Sequence, residues 1–183
     1  MRASLVKHPQ SHCAAVSSVN VDVDRLSLTS LMLRFAASGA IGDIAIPPPA
    51  PPGRRDGLWR RTCFEAFFRG KGEDSYCEFN FSPSTEWAAY RFARYREGMA
   101  ELENVERIAV ERGVEPGCLV VAARLDLARM GQAADEGLLC ALSAIIEEKS
   151  GSKSYWALAH PAGKPDFHHI DCFKLEIARN TAS

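Results

Sequence analysis

Val19, Val21 and Val23 alternate with Asn20, Asp22 and Asp24, the period-two pattern of a strand with one buried face. The apolar run at 28–35 can pair with it, which predicts an opening hairpin or meander. Further strand-like runs fall at 62–68, 76–81, 105–111, 119–127, 138–147, 155–158 and 172–177. Nine or so short strands with few helical signals predict an all-β, antiparallel sandwich of the immunoglobulin or jelly-roll kind. Two segments are less clear. Residues 86–99 also suit a helical face, because Trp87, Tyr90 and Arg94 recur at helical spacing, and 127–134 reads as a short helical turn.

One hairpin can be registered from the sequence. The runs 62–68 and 76–81 are joined by Arg69-Gly-Lys-Gly-Glu-Asp74, a segment rich in turn residues. If Glu65 lies opposite Glu78 or Asn80, then Phe64, Ala66 and Phe68 share a face with Cys77, Phe79 and Phe81. That face is wholly apolar and is expected to be core. The other face carries Cys63, Glu65, Phe67, Tyr76, Glu78 and Asn80, more chemistry than an idle solvent face requires.

Composition narrows the picture. With 183 residues, 46% of them apolar, the chain can bury a real core and is expected to form one domain over 1–183. Five of the ten prolines fall in 47–52, which excludes helix or central strand there and reads as an extended loop inside that domain. The 22 basic residues nearly balance the 23 acidic ones, which argues against a dedicated nucleic-acid binder. No stretch approaches the roughly 20 apolar residues of a membrane helix. His8, Gln10, Ser11 and His12 interrupt any signal-like run, so a cytoplasmic location is expected. The six cysteines form no Cys-x-x-Cys pair and sit in or beside apolar stretches, as small buried thiols do.

Trp59 lies six residues ahead of Glu65 and is flanked by Arg54, Arg55, Arg60 and Arg61, while Trp156 opens a second aromatic segment that runs on to His168 and His169. A sugar presents apolar C–H faces that stack on an indole and hydroxyls that suit Glu, Asn and Arg. Core packing of each Trp and solvation of the arginines are the plainer alternatives.

The blocks Leu58-Trp-Arg-Arg-Thr-Cys-Phe-Glu-Ala-Phe-Phe68, Tyr76-Cys-Glu-Phe-Asn-Phe-Ser-Pro83 and Tyr155-Trp-Ala-Leu-Ala-His-Pro161, with Pro165-Asp-Phe-His168, together resemble the DOMON-like superfamily. The branch they resemble is the one close to family 9 carbohydrate-binding modules, over roughly residues 15–178. The resemblance implies a β-sandwich that binds a small ligand, a saccharide or sugar-bearing metabolite, without catalysis and without a cofactor. It points to Trp59, Glu65 and Trp156 as a sugar clamp, and to Phe167 and His168 as a pair that either ties the last loop down or touches ligand. Arg60, Glu78 and Asn80 complete the candidate site. The chain departs from the pattern at Leu142-Ser-Ala-Ile-Ile146, where such modules carry Asn and Arg, and at Lys174, where Gly is usual.

The four methionines are not placed as haem ligands, and the spacing of His160, His168 and His169 matches no standard zinc site. The pair Glu65 and Glu78 could serve a metabolic enzyme as acid and base on a sugar-like substrate. Arginines around Trp59, with Arg91, Arg94 and Arg96 around Tyr95, could stack on and neutralise nucleic acid.

Overall fold

The alternating runs become strands of one curled antiparallel sheet in a computed structural model that describes residues 1–130 and 137–178. The strands are β1 (Arg2–Lys7), β2 (Val16–Arg25), β3 (Ser30–Gly39), β4 (Cys63–Gly70), β5 (Tyr76–Phe81) and β6 (Trp87–Phe92). They continue as β7 (Ala100–Glu101), β8 (Ala109–Glu115), β9 (Cys118–Asp126), β10 (Leu138–Glu147), β11 (Lys153–Ala157) and β12 (Leu175–Ile177). Their spatial order is β7-β6-β5-β4-β10-β11-β1-β2-β3-β9-β8, with β12 beside β10. The sheet folds over on itself, as an all-β sandwich does, and β1 is the hinge between layers. Its first residues pair with β2, and Val6 and Lys7 pair with β11.

The layers meet through one face of each half. Val19, Val21, Leu33, Phe35, Leu119 and Val121 from β2, β3 and β9 pack on Phe64, Phe79, Phe81, Leu142 and Trp156. The Phe35 ring lies 5.2 Å from that of Phe64, centre to centre. The expected hairpin register is present, with Glu65 opposite Asn80, Phe67 opposite Glu78 and the apolar face inward. Residues 86–99 contain a strand, not a helix: Trp87 and Ala89 enter the core while Ala88 and Tyr90 face the other way. Strand β1 carries no clear alternation and was not expected from the sequence. The run at 105–111 begins its strand only at Ala109, and 172–177 only at Leu175; Val105 and Ile108 before the first, and Cys172 and Phe173 before the second, are buried from a loop or a 3-10 turn instead. The turn at Leu127–Met130 is 3-10, and the remainder of 127–134 lies outside the described residues.

Pro47–Pro52 runs along the sandwich in extended form. The flanking Ala45 N–H donates to the Glu147 carbonyl and Ala50 N–H to that of Ser84. Beyond it, Arg54 reaches under the 102–105 loop. Its guanidinium donates to the carbonyls of Ala89, Leu102 and Val105 at 2.9–3.0 Å and sits 4.7 Å from the centre of the Trp87 ring. The six cysteines are free thiols, and burial pushes Cys63 and Cys140 well above the usual thiol range. No helix among the described residues is long and apolar enough to cross a membrane.

Every residue of β5 is buried, and so is β4 from Cys63 to Phe68. A sheet with one solvent face would alternate, so the outer face of these strands must be covered. The 3-10 turn Leu58–Arg60 and the C-terminal segment carrying Phe167, Cys172 and Phe173 cover it in part. The space they leave is the candidate site.

Candidate functional site

Alternation on β4 and β5 turns Glu65 and Glu78 outward, onto the floor of a cavity of about 360 Å³. Its walls are Trp59, Tyr155, Phe92 and Phe167, with Ile145, Met99 and Pro165. Arg96 and His168 supply the remaining polar lining. Volume and character suit a small ligand with both apolar faces and hydrogen-bonding groups.

Each carboxylate is held from behind. Ser143 Oγ donates to Glu65 Oε2 at 3.1 Å, and Asn80 Nδ2 donates to Glu78 Oε1 at 2.8 Å. Asn80 Oδ1 in turn faces the Cys63 thiol at 3.7 Å. Glu65 is 3% and Glu78 5% exposed. Burial pushes Glu65 up from the usual glutamate range, and the Glu78 charge adds to the effect. Burial also raises Glu78, against the opposing pull of Asn80 and Arg96. The pair therefore retains a proton at neutral pH.

The rim is a hydrogen-bonded network that joins the 93–99 loop to the C-terminal segment. Asp166 accepts from Arg96 Nη2 at 2.8 Å, from Tyr95 Oη, and from the His168 backbone N–H at 3.1 Å. Burial opposes ionisation of Asp166, but these hydrogen bonds outweigh it and hold the carboxyl below its usual value. Tyr76 Oη accepts the Arg96 N–H at 3.1 Å and can give its own proton to His168 Nδ1 at 2.7 Å. His168 Nε2 then carries the ring proton and points toward Glu78 Oε2, 3.8 Å away. Burial, reinforced by the Arg96 charge, lowers His168 to about 4, so its imidazole is neutral at physiological pH. Arg96 adopts a left-handed conformation, φ 55°, that few non-glycine residues take, and its place in this network compensates for that strain.

Of the seven residues read from the sequence, Trp59, Glu65, Glu78 and His168 converge on the cavity. Asn80 is fully buried behind Glu78 and positions it. Arg60 lies outside, its side chain folded back toward Gly57 and into a second groove under the proline segment. Trp156 is placed in the inter-sheet core, because β11 is registered with Trp156 opposite Ala144 and Tyr155 opposite Ile145. The second aromatic wall is accordingly Tyr155. Tyr155 stands in a block that carries the family resemblance, but nothing local marks it rather than Trp156 as the wall, and Met99 and Phe92 carry no signal in the sequence beyond being apolar. Of the arginines around Trp59 and Tyr95, Arg54 is held by backbone carbonyls, Arg55 pairs with Glu86, and Arg94 with Glu97. Among the described residues, no three His, Cys, Asp or Glu side chains converge as metal ligands do.

The carboxyl pair gives stability a definite pH dependence. Both groups titrate higher in the fold than the usual 4.5, so their contribution is fully present below that value and is lost as pH rises through neutrality. His168, depressed from 6.5 to about 4, acts oppositely and costs stability as pH falls through that range. Melting temperature is expected to decline on the alkaline side, and Glu65→Gln to flatten that decline. Equal slopes for parent and variant would show that Glu65 ionises freely.

No protein-family model matches the chain, and no curated protein matches it. Among solved structures it is similar to a provisionally assigned carbohydrate-binding protein from Bacteroides uniformis, with 14% identity, a TM-score of 0.63, and coverage of 94% of this chain and 84% of that one. It is also similar to a family 9 carbohydrate-binding module from Caldicellulosiruptor kristjanssonii, solved with cellotriose, with 8% identity, a TM-score of 0.50, and coverage of 87% and 74%. The protein thus shares the β-sandwich fold of carbohydrate-binding proteins.

Proposed function

We propose that this protein is a non-catalytic binding domain of the DOMON-like type that takes a small saccharide, or a metabolite bearing one, into the cavity over β4 and β5. The observation that carries this reading is the pairing of aromatic walls, Trp59 and Tyr155, with a hydrogen-bonding floor of Glu65 and Glu78. Indole and phenol rings offer stacking area for the C–H face of a pyranose, and the free carboxyl oxygens accept from its hydroxyls. The fold shared with carbohydrate-binding proteins supports it. A thermal-shift screen of mono- and disaccharides tests it, since a ligand that binds only the folded state raises its melting temperature. Trp59 is half-buried and touches the edge of Tyr90, so Trp59→Ala should weaken a hit roughly ten- to a hundredfold while leaving the melt nearly unchanged. Retained affinity in that variant would place the ligand elsewhere.

A second reading is favoured by the proton that the buried carboxyl pair retains, since one protonated and one ionised carboxyl is the equipment of a glycosidase. Turnover of aryl glycosides by the parent, abolished in Glu65→Gln, would establish it in place of simple binding.

A further inference from the structure

The charge balance of the cavity identifies a narrower class of ligand, and this inference rests on the saccharide reading. Among the described residues Arg96 is the only arginine or lysine in the lining, and its guanidinium pairs with Asp166. His168 is neutral and, through Nδ1, committed to Tyr76. That leaves the carboxyl pair with no arginine or lysine at ion-pair distance among the described residues, the Arg96 charge reaching it only from farther off. Each member is more than nine-tenths buried, and each has an oxygen without a hydrogen-bond partner among the described residues. Glu65 is bonded only through Oε2, and Glu78 only through Oε1, its Oε2 lying too far from His168 for a hydrogen bond. Both residues line the cavity, so these oxygens border a space whose walls include the rings of Trp59, Tyr155, Phe92 and Phe167. Unpaired buried anions are costly, and aromatic rings attract cations through their quadrupole. A neutral sugar answers the stacking surface but leaves the negative charge uncompensated.

We propose that the cavity recognises a ligand carrying an ammonium group, an amino sugar with a free amine, held by Glu65 and Glu78 and flanked by the rings of Trp59 and Tyr155. The ammonium donates to the two free carboxyl oxygens while the pyranose face lies on the aromatic wall. Because the empty pair holds a proton that the cation replaces, binding releases a proton to solvent.

Calorimetric titration of the full chain near neutral pH tests this. Glucosamine, galactosamine and mannosamine are each compared with the parent hexose and the N-acetyl derivative, with methylammonium as a sugar-free probe. At least one amino sugar is expected to bind roughly ten- to a hundredfold tighter than both neutral counterparts, with a heat that depends on the ionisation enthalpy of the buffer. Glu78→Gln should reduce that preference to below about threefold, and Glu65→Gln repeats the test if the first variant melts early. Neutral sugars that bind as tightly as their amines overturn the ammonium inference and leave the saccharide reading standing. Methylammonium that binds as tightly as any amino sugar upholds the ammonium and removes the saccharide. Binding by none of the amines overturns the inference outright.

Discussion

Trp156→Ala is expected to destabilise the protein by about 3–5 kcal/mol, the cost of emptying a large aromatic from a packed core. The indole is 4% exposed between the layers, its Nε1 donates to Ser154 Oγ at 2.9 Å, and the Lys7 ammonium lies 5.9 Å from the ring centre. Its neighbour gives the contrast. Tyr155 faces the other side of β11, half-buried against Phe167, so Tyr155→Ala should change the melt little and weaken ligand binding. Adjacent residues would then fail in opposite ways, one in folding and one in binding. Urea melts of both variants beside titration of a found ligand make the comparison. A Trp156→Ala protein that melts like the parent but no longer binds would mean that the indole, not Tyr155, faces ligand.

Arg54→Ala is expected to cost about 2–4 kcal/mol, since three backbone carbonyls lose a charged donor at once and the face of Trp87 loses its cation. Its side chain keeps 23% of its exposure, so water re-solvates part of what is lost and the figure stays below that for a wholly buried charge. Arg54→Lys restores the charge but not the planar fork, and should recover less than half of the loss. Arg55→Ala breaks only the exposed pair with Glu86 and should cost less than about 1 kcal/mol. Similar melts for Arg54→Ala and Arg55→Ala would show that the 102–105 loop holds without the guanidinium.

The fold was legible where side chains alternate cleanly. The faces of 62–68 and 76–81 could be assigned because one of them is wholly apolar, and a slip of one residue would have buried Glu65 and Glu78 in the core. Trp87, Tyr90 and Arg94 suit a helix and a strand equally until it is known that the segment pairs with β5. The site was legible only in part for a related reason. Whether Trp156 or its neighbour Tyr155 faces ligand depends on the register of β11 against β10, a long-range fact absent from the local pattern. Arg96 stands out in the sequence only within the basic patch around Tyr95: it reaches the cavity from a left-handed turn and is fixed there by Asp166, which lies 70 residues further along the chain.

The strand shared between the two layers also fixes when the cavity can exist. Both backbone groups of Tyr155 are held by the segment that includes and follows β1: its N–H donates to Ser11 Oγ, 144 residues away in sequence, and its carbonyl accepts from His8 N–H. Contacts so distant in sequence form late, because the closure entropy of the intervening chain must be met before they contribute. The hairpin carrying Glu65 and Glu78 is local and can assemble early, while the Tyr155 wall waits for the two ends of the sandwich to meet. During refolding, recovery of ligand binding should therefore coincide with the slowest structural phase, and a partly folded chain that already binds is not expected.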